Sequence, residues 1–336
     1  MSYDTLVLLW VVALGFASLG DGLLDGFDLG VGMLFGLAED EEDRDALTAT
    51  IAPSWDGNET WLLLIGTILF GAFSQIYAVL LSAFYIPILL MLFGLIFRGV
   101  AFEFRGHAGP GARALWNVGF WVGSGVVSFV QGAAVGTMIA GIPVVDRHFA
   151  GNSFIWLKPF PVLCGVGLMF GYAVLGACFL VARGPDELLA RAVTWGRRAA
   201  IAMGVIVLVN AILALQLRPE AWQNLLARPW AFEVAAVWVV LVVGLVVSLT
   251  RASRGGAPFL LAALSFVCAF LVLAAAFWPY MIPGAVTIAE AASPESSLRF
   301  LFWGGGLFAL PIIILYTIVV YRVFKVGSVA AYESES

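Results

Sequence analysis

The chain has 336 residues, of which 62% are hydrophobic and 12% charged, whereas an ordinary soluble domain has about 45–50% apolar and about 25% charged residues. This composition, with a mean hydropathy of +1.00, excludes a soluble protein and predicts an all-α polytopic membrane protein. The net charge of −5 comes in part from one acidic loop at 39–45 and gives no indication of a nucleic-acid partner. We expect residues 1–336 to form a single integral membrane domain, because membrane-spanning segments use almost the whole length.

The apolar segments predict nine membrane-spanning helices. Runs such as 234–249 and 259–277 are close to the ~20 residues that a helix needs to cross about 30 Å of hydrocarbon. In chain order, we place the spans at 6–37, 55–73, 76–97, 115–140, 160–182, 197–217, 231–250, 258–279 and 300–323. The division between the second and third spans rests on a short turn at 73–76, and joining its flanks would give eight spans.

The positive charges predict the orientation of the chain. With the N-terminus outside, the inner loops and C-terminal segment would hold twelve Lys and Arg residues, including Lys325, and the outer loops five. Because cytoplasmic loops are enriched in Lys and Arg, this distribution favours an external N-terminus and a cytoplasmic C-terminus. The first segment lacks the basic region and cleavage site of a signal peptide, so we expect it to be retained.

Acidic residues inside the first span form the first candidate site. Asp21, Asp25 and Asp28 follow at i, i+4 and i+7, so they share one stripe of a helix. Adjacent carboxylates repel, so this stripe would need a nearby cation or bound protons, and either makes it a candidate proton station. Glycines at every fourth residue would let another helix approach beside it: Gly22, Gly26 and Gly30. A plainer alternative is that Asp28 only marks the cytoplasmic end of the helix.

The sequence A-P-S-W-D-G-N-E-T-W at 52–61 supplies a second group of polar residues. Asp56 and Glu59 would occupy the first turns of a helix, where the helix dipole favours acidic side chains. Capping alone does not account for the neighbouring Trp55 or for Asn58. We therefore include this segment in the candidate proton pathway.

A third group, F-R-G-V-A-F-E-F-R at 97–105, closes the third span. Arg105 fits an anchor that reaches the membrane surface. Arg98 lies nearer the apolar run, so it is the better partner for a buried carboxylate, and we assign Arg98 and Glu103 as the charge partners. At 1.5 Å per helical residue, all three groups fall toward the cytoplasmic side, where together they suit proton uptake.

Histidine is scarce in this chain. His107 and His148 are the two histidines, and both fall in predicted loops. Because a haem in the bilayer needs axial ligands, usually His, we expect any haems of a complex that contains this chain to lie mostly or wholly on another chain. We predict no metal site and no catalytic residue in this chain. Isolated polar residues of other spans fit helix–helix hydrogen bonds: Gln131, Asn210 and Glu233.

Three motifs, matching in order and spacing, carry a family resemblance. L-D-G-F-D-L-G-V-G-M-L at 24–34, A-P-x-W-D-G-N-E-T-W-L at 52–62 and F-R-G-V-A-F-E-F-R at 97–105 resemble subunit II of the cytochrome bd quinol oxidases, including their cyanide-insensitive relatives. These motifs fall in the first three spans, at 6–105. The remaining six spans, at 106–336, agree with the family mainly in length and apolar character.

The resemblance implies a chain of two four-helix bundles plus one helix in the bacterial cytoplasmic (inner) membrane, paired with a haem-bearing subunit I. That partner would hold haem b, haem d and most of the quinol site, so that the heterodimer couples quinol oxidation to the reduction of dioxygen to water. In that family, subunit II contributes to a proton pathway from the cytoplasm and can hold a structural quinone or a lipid. The resemblance also leaves room for a small accessory subunit.

The motifs assign individual positions. The W-D-G-N aspartate of the family falls on Asp56, the G-F-D aspartate on Asp28 and the F-R arginine on Arg98. We predict that Trp55 packs against the partner near its haems. The resemblance assigns no role to Asp21 or Ser54, and their roles stay open. The predicted proton pathway comprises Asp25, Asp28, Asp56, Asn58 and Glu59.

Two other functions stay open. A proton-coupled secondary transporter usually has broken helices in both halves around a midplane site, whereas the charges here are confined to the first third and the inner side. A structural scaffold would stabilise the haem-bearing partner without moving protons. Replacing Asp56 with Asn separates these readings, because a scaffold should keep its turnover and a proton relay should slow.

Overall fold

The computed structural model describes residues 1–251 and 253–323, so the predicted inner charge Lys325 lies outside the described residues. The structure is a helical membrane protein, as predicted. In chain order its helices are α1 (Tyr3–Phe35), α2 (Glu41–Ile51), α3 (Trp55–Ala72), α4 (Ser74–Ala83), α5 (Tyr85–Phe104), α6 (Pro110–Ala140), α7 (Pro159–Arg183), α8 (Asp186–Leu217), α9 (Pro219–Leu226), α10 (Trp230–Ser248), α11 (Ala257–Phe277), α12 (Ile288–Ala291), α13 (Glu295–Leu301) and α14 (Ala309–Val323).

Two small hairpins interrupt the helices. Strand β1 (Val144–Val145) pairs antiparallel with β2 (His148–Phe149), between α6 and α7. Strand β3 (Tyr280–Ile282) pairs antiparallel with β4 (Val286–Thr287), after α11. Proline occupies the first turn of α6, α7 and α9, where its fixed φ favours a helix start and its missing N–H has no cost.

Eight helical segments of the described ranges are long and apolar enough to cross a membrane. Helix α3 is less apolar, because its first turns carry Asp56, Asn58 and Glu59, but it also crosses. At one end Asn58 bonds Asp28, and at the other the carbonyl of Ala72 accepts from Ser293, whose own carbonyl accepts from Tyr3. Helix α3 therefore runs beside α1 between the levels of Tyr3 and Asp28, and its 18 residues are about 27 Å long, close to the ~30 Å thickness of the hydrocarbon core. The described chain thus makes nine crossings.

The third crossing starts later than predicted. The predicted span at 76–97 is wrong in its bounds, because the helix breaks at Phe84 and the crossing is α5. Pro87 is the reason: it lacks an N–H for bonding back to Ala83, so it fits the first turn of a new helix and not the interior of an old one. The predicted turn at 73–76 is present as a break at Phe73.

The acidic segment at 39–45 is also not the loop that was predicted. The Asp40 carboxylate accepts a hydrogen bond from the Asp43 N–H at 2.8 Å and caps α2. Three acidic residues in the first turn then favour the helix through its dipole. We call the end of the molecule on which α2 lies the α2 end.

The crossings form the two four-helix bundles plus one helix implied by the resemblance. Helices α1, α3, α5 and α6 form one bundle, α7, α8, α10 and α11 form the other, and α14 packs beside α1 and α3. The bundles meet where α1 and α6 of one bundle pack against α7 of the other. There a Cβ on Gly30 would lie 1.9 Å from the Tyr172 carbonyl oxygen, so only glycine fits. The predicted close approach along the glycine stripe is confirmed.

Ion pairs fix α2 to the bundle ends. The Arg105 guanidinium, which is buried, donates to Glu41 at 2.9 Å and also to Asp45. Arg113 of α6 donates to both oxygens of Asp45 at 2.7 Å. The Arg105 guanidinium also lies 5.1 Å from the centroid of the Phe35 ring. Arg105, which was predicted to be a membrane anchor, thus also joins the end of α5 to α2 through its bonds to Glu41 and Asp45.

The stability of this contact should depend on pH. Burial acts to raise the pKa of Asp45, but hydrogen bonds from Arg105 and Arg113 hold it below its ordinary value, and Glu41 has a lowered pKa because bonds from Arg44 and the Arg105 charge outweigh its burial. A carboxyl group with a lower pKa in the folded state stabilises the fold above its unfolded pKa of about 4, and this stabilisation is lost as the pH falls through the folded value.

We therefore expect Asp45→Asn to lower the midpoint of thermal unfolding at neutral pH. The difference between the midpoints of the variant and the unsubstituted protein should disappear below about pH 4. The free-energy change should be less than about 1 kcal/mol, because the Asp45 side chain is 55% exposed. Glu42→Gln is the matched control on the same helix, since Glu42 has no ion pair within the described ranges. A difference in midpoint that does not change with pH would contradict a stabilising role of the Asp45 charge.

Candidate functional site

The first part of the site joins α1, α3 and α14 near the α2 end. Asp28 is completely buried, and one of its oxygens accepts a hydrogen bond from the Asn58 amide at 2.7 Å. The same amide lies 3.3 Å from the Leu24 carbonyl, and the Asn58 carbonyl accepts from the Tyr321 hydroxyl at 3.1 Å. Asn58 thus connects the buried carboxylate to a tyrosine of the last described helix.

The second part surrounds one buried cation. Arg98 of α5 is 1% exposed and binds Glu59 of α3, while its Nη1 lies 3.7 Å from Asp25 of α1. The Arg98 guanidinium also lies 5.8 Å from the Trp55 ring. Three helices therefore meet at one guanidinium, which is the carboxylate partner that the sequence indicated.

The charges of this site do not balance. Asp25 and Glu59 lie beside the Arg98 guanidinium, and Asp28 lies one turn further along α1. Three acidic side chains therefore share one guanidinium. Each ionised group inside a membrane costs at least about 2.5–3.5 kcal/mol. Both oxygens of Asp25 and two nitrogens of Arg98 have no hydrogen-bond partner among the described residues. Such a site has the composition to bind and release protons, because protonation removes the cost of a buried carboxylate that has no cation of its own.

Two predicted site residues lie apart from this cluster. Asp56 and Glu103 are exposed, and neither takes part in a hydrogen bond or an ion pair among residues 1–251 and 253–323. Trp55 is half-buried, with its ring centroid 5.0 Å from that of Phe102. Ser54 is buried, and its hydroxyl donates to the Ile51 carbonyl at 3.4 Å.

The sequence did not point to two tyrosines that extend the site. Tyr321 bonds Asn58, and Tyr172 of α7 donates to the Gln131 carbonyl oxygen at 2.8 Å. The Gln131 amide in turn lies 3.4 Å from Asp21. Gln131 was expected to join helices by a hydrogen bond, which it does. The tyrosines gave no signal, since one aromatic residue in an apolar span is typical of any packed helix.

The donor groups of this chain do not fit a haem held within the membrane. His107 ends the short turn that directly follows α5, and His148 lies on β2; both side chains are exposed. The three cysteines lie within α7 and α11, and the described residues contain no group of three His, Cys, Asp or Glu that could hold a metal ion. We derive no step of the chemistry from a haem on this chain.

Comparison with known proteins places these features in a family. The family described as "Cytochrome bd terminal oxidase subunit II" matches residues 6–324. The chain is 30% identical to cytochrome bd-I ubiquinol oxidase subunit 2 of Escherichia coli (strain K12), over 94% of this chain and 93% of that protein. It is 29% identical to cytochrome bd ubiquinol oxidase subunit 2 of Bacillus subtilis (strain 168), over 94% and 95% of the two chains.

A solved structure has a similar fold. A chain of the bd oxidase from Geobacillus thermodenitrificans superimposes with a TM-score of 0.76, and the match covers 96% of this chain and 100% of that chain. The two sequences are only 18% identical, so this likeness concerns the fold. The family match spans nearly the whole sequence, including the six later spans, which contain none of the three motifs. The chain therefore belongs to the family of cytochrome bd terminal oxidase subunit II.

Proposed function

We propose that this chain is the haem-free subunit of a quinol:oxygen oxidoreductase and that its buried carboxylate cluster carries protons from the α2 end toward a haem-bearing subunit I. The observation that carries the proposal is the arrangement of Asp25, Glu59 and Asp28 around Arg98 and Asn58, buried where α1, α3 and α5 meet. The distribution of positive charges in the sequence favours a cytoplasmic α2 end, on the side from which protons would be taken.

The proposed reaction of the complex consumes protons, which a path of this kind would supply. Reduction of one dioxygen to two waters consumes four electrons and four protons, and oxidation of two quinols supplies four electrons. Haem b and haem d on the partner would carry those electrons. The role of this chain is to hold protons in a region where water is scarce: Asn58 orients the Asp28 carboxylate, and Arg98 lowers the cost of negative charge on Asp25 and Glu59.

The roles of the two outlying residues follow from their positions. Asp56 is exposed at the start of α3, two residues before Asn58, so it would collect protons at the surface and not within the cluster. The Trp55 ring packs beside Arg98 and Phe102 of α5 and is only half-buried, so it would contact the partner. A structural quinone or lipid, and a small accessory subunit, are compatible with the exposed apolar faces of the outer helices.

The first experiment tests the oxidase function itself. The tagged chain is purified from bacterial membranes in mild detergent, and a reduced-minus-oxidised visible spectrum is recorded beside a gel of the copurifying chains. Bands of haem b and haem d together with a larger subunit are the expected result. A folded chain that purifies alone and without haem would overturn the proposal and make proton-coupled transport the next activity to assay.

The second experiment tests the proton pathway in the purified complex. We expect Asp28→Asn to slow quinol-dependent oxygen uptake by at least about tenfold with an unchanged haem spectrum, since the amide has nearly the same shape but carries no transferable carboxyl proton. Asp56→Asn should slow turnover less, and mainly at alkaline pH. Asp186→Asn, at a side chain 82% exposed beside Arg254, is the matched control. Full turnover of Asp28→Asn at every pH would favour a scaffold.

A further inference from the structure

A buried polar group lies beyond the proposed pathway, on the side facing away from α2. Asp21 sits one helical turn before Asp25 and is 6% exposed. One of its oxygens faces the Gln131 amide at 3.4 Å, and the Gln131 carbonyl accepts from the Tyr172 hydroxyl at 2.8 Å. The other oxygen of Asp21 has no hydrogen-bond partner among the described residues. The group thus links α1, α6 and α7.

Small residues of α1 create the space for this group. A Cβ on Gly26 would lie 2.7 Å from the Tyr172 ring, and one on Gly22 would lie 3.8 Å from the Tyr172 hydroxyl oxygen. On the other face of the tyrosine, the Phe266 ring is nearly parallel, with a centroid distance of 6.0 Å. The ring is therefore held between α1 and α11, with its hydroxyl directed at Gln131.

The charges around Asp21 are all acidic or neutral. Asp25 follows it on α1, Glu59 lies on the adjacent α3, Gln131 faces it from α6 and Tyr172 from α7. Arg98, the guanidinium of this region, is engaged by Asp25 and Glu59, and no ion pair of the described ranges includes Asp21. An ionised Asp21 would place a third negative charge beside that pair, inside the membrane and without a cation.

The Gln131 amide can serve either form of the Asp21 carboxyl group. In the orientation described, its NH₂ group faces Asp21 and suits a carboxylate, which only accepts hydrogen bonds. After a half-turn of the amide, its carbonyl would accept from a protonated Asp21 and its NH₂ group would donate to the Tyr172 oxygen. The Tyr172 hydroxyl can both donate and accept, so it satisfies both orientations.

We propose that Asp21 is a separate proton-holding site, which binds one proton at neutral pH and gives it up to the carboxylate of Asp25 or Glu59 during turnover. In this transfer the O–H bond of Asp21 breaks, an O–H bond forms on the accepting carboxyl group, and the negative charge left on Asp21 is stabilised by the Gln131 NH₂ group. The binding of the proton is independent of the proposed function; its release during turnover rests on that function.

The binding step is tested by infrared spectroscopy of the whole complex, without turnover. Protonated carboxyl groups have a C=O stretching band that is separate from carboxylate bands and shifts in D₂O. At neutral pH we expect Asp21→Asn to lose one such band, whereas the exposed Asp186→Asn should retain it. An unchanged set of bands in Asp21→Asn would overturn the proposal. Tyr172→Phe and Gln131→Leu keep the carboxyl group, so each should shift the same band; this test remains if Asp21→Asn does not assemble.

The release step is tested by turnover. We expect Asp21→Asn to match the unsubstituted complex in oxygen uptake at acidic pH and to lose rate at alkaline pH, where protons from water are scarce. A merely structural role would lower the rate equally at every pH, and that result would overturn the release step. If Asp28→Asn keeps full turnover while the Asp21 band is present, the proposed pathway fails but the proton-holding site stands.

Discussion

Replacing Arg98 with Met is expected to prevent stable accumulation of the chain in the membrane. Arg98 is 1% exposed and is the guanidinium that Asp25 and Glu59 share. Without it, the buried Asp25 and the Glu59 side chain, which is 25% exposed, would remain together with no opposite charge. Removing one partner of a buried ion pair typically costs about 3–5 kcal/mol, which is a large part of the stability of an ordinary domain. The amount of solubilised complex and its midpoint of thermal unfolding measure this loss.

A set of further variants separates charge from packing. Arg254→Met removes the guanidinium of an exposed pair and should change little, because exposed pairs contribute about 0–1 kcal/mol. Adding Asp25→Asn and Glu59→Gln to Arg98→Met removes the unpaired charges, and this triple variant should regain most of the stability but not the oxygen uptake. If the triple variant were as unstable as Arg98→Met alone, packing of the arginine and not its charge would be responsible.

Helical geometry explains which site residues the sequence could predict. Asp25, Asn58 and Arg98 come together because regular spacing and depth along three antiparallel helices fix their level and their side. Asp56 precedes Asn58 by two residues, which is about 200° around the helix, so it faces away from α1. Glu103 follows Arg98 by five residues, about 140° around α5, and is directed outward for the same reason. The depth of each residue in the membrane was predictable from its position along the helix. The direction of its side chain was not, because it depends on the side on which each neighbouring helix packs.

Helical geometry alone could not predict the contacts of Tyr321 and Tyr172. Tyr321 contacts Asn58 across 263 residues of sequence, and no periodic pattern in α14 distinguishes it from the neighbouring Tyr316. Only the tertiary packing of α14 against α3 decides which hydroxyl is buried. The break at Phe84 was missed for a different reason, since hydropathy does not register that Pro87 ends one helix and starts another. The crossings themselves were predictable because length and apolar character are local properties.

Substitution of Gly30 should disrupt the junction of the two bundles. An alanine methyl group at this position would lie 1.9 Å from the Tyr172 carbonyl oxygen and 2.7 Å from its carbonyl carbon. These are backbone atoms of α7, so no side chain can turn away and the two helices must separate. Overpacking typically costs about 1–3 kcal/mol and more where the backbone has to move. We expect Gly30→Ala to reach at least the upper part of that range and Gly30→Val to prevent assembly.

Gly66→Ala is the matched control for this prediction. Gly66 is a glycine in the middle of α3, and a Cβ there meets no atom within 4 Å. The same change should therefore be neutral or stabilise the chain by up to about 1 kcal/mol, through helix propensity alone. The midpoints of thermal unfolding of the two variants should shift in opposite directions or differ by several degrees. Equal midpoints would mean that α1 and α7 are not in contact at Gly30. Because Tyr172 would move with α7, Gly30→Ala should also shift the infrared band assigned to Asp21.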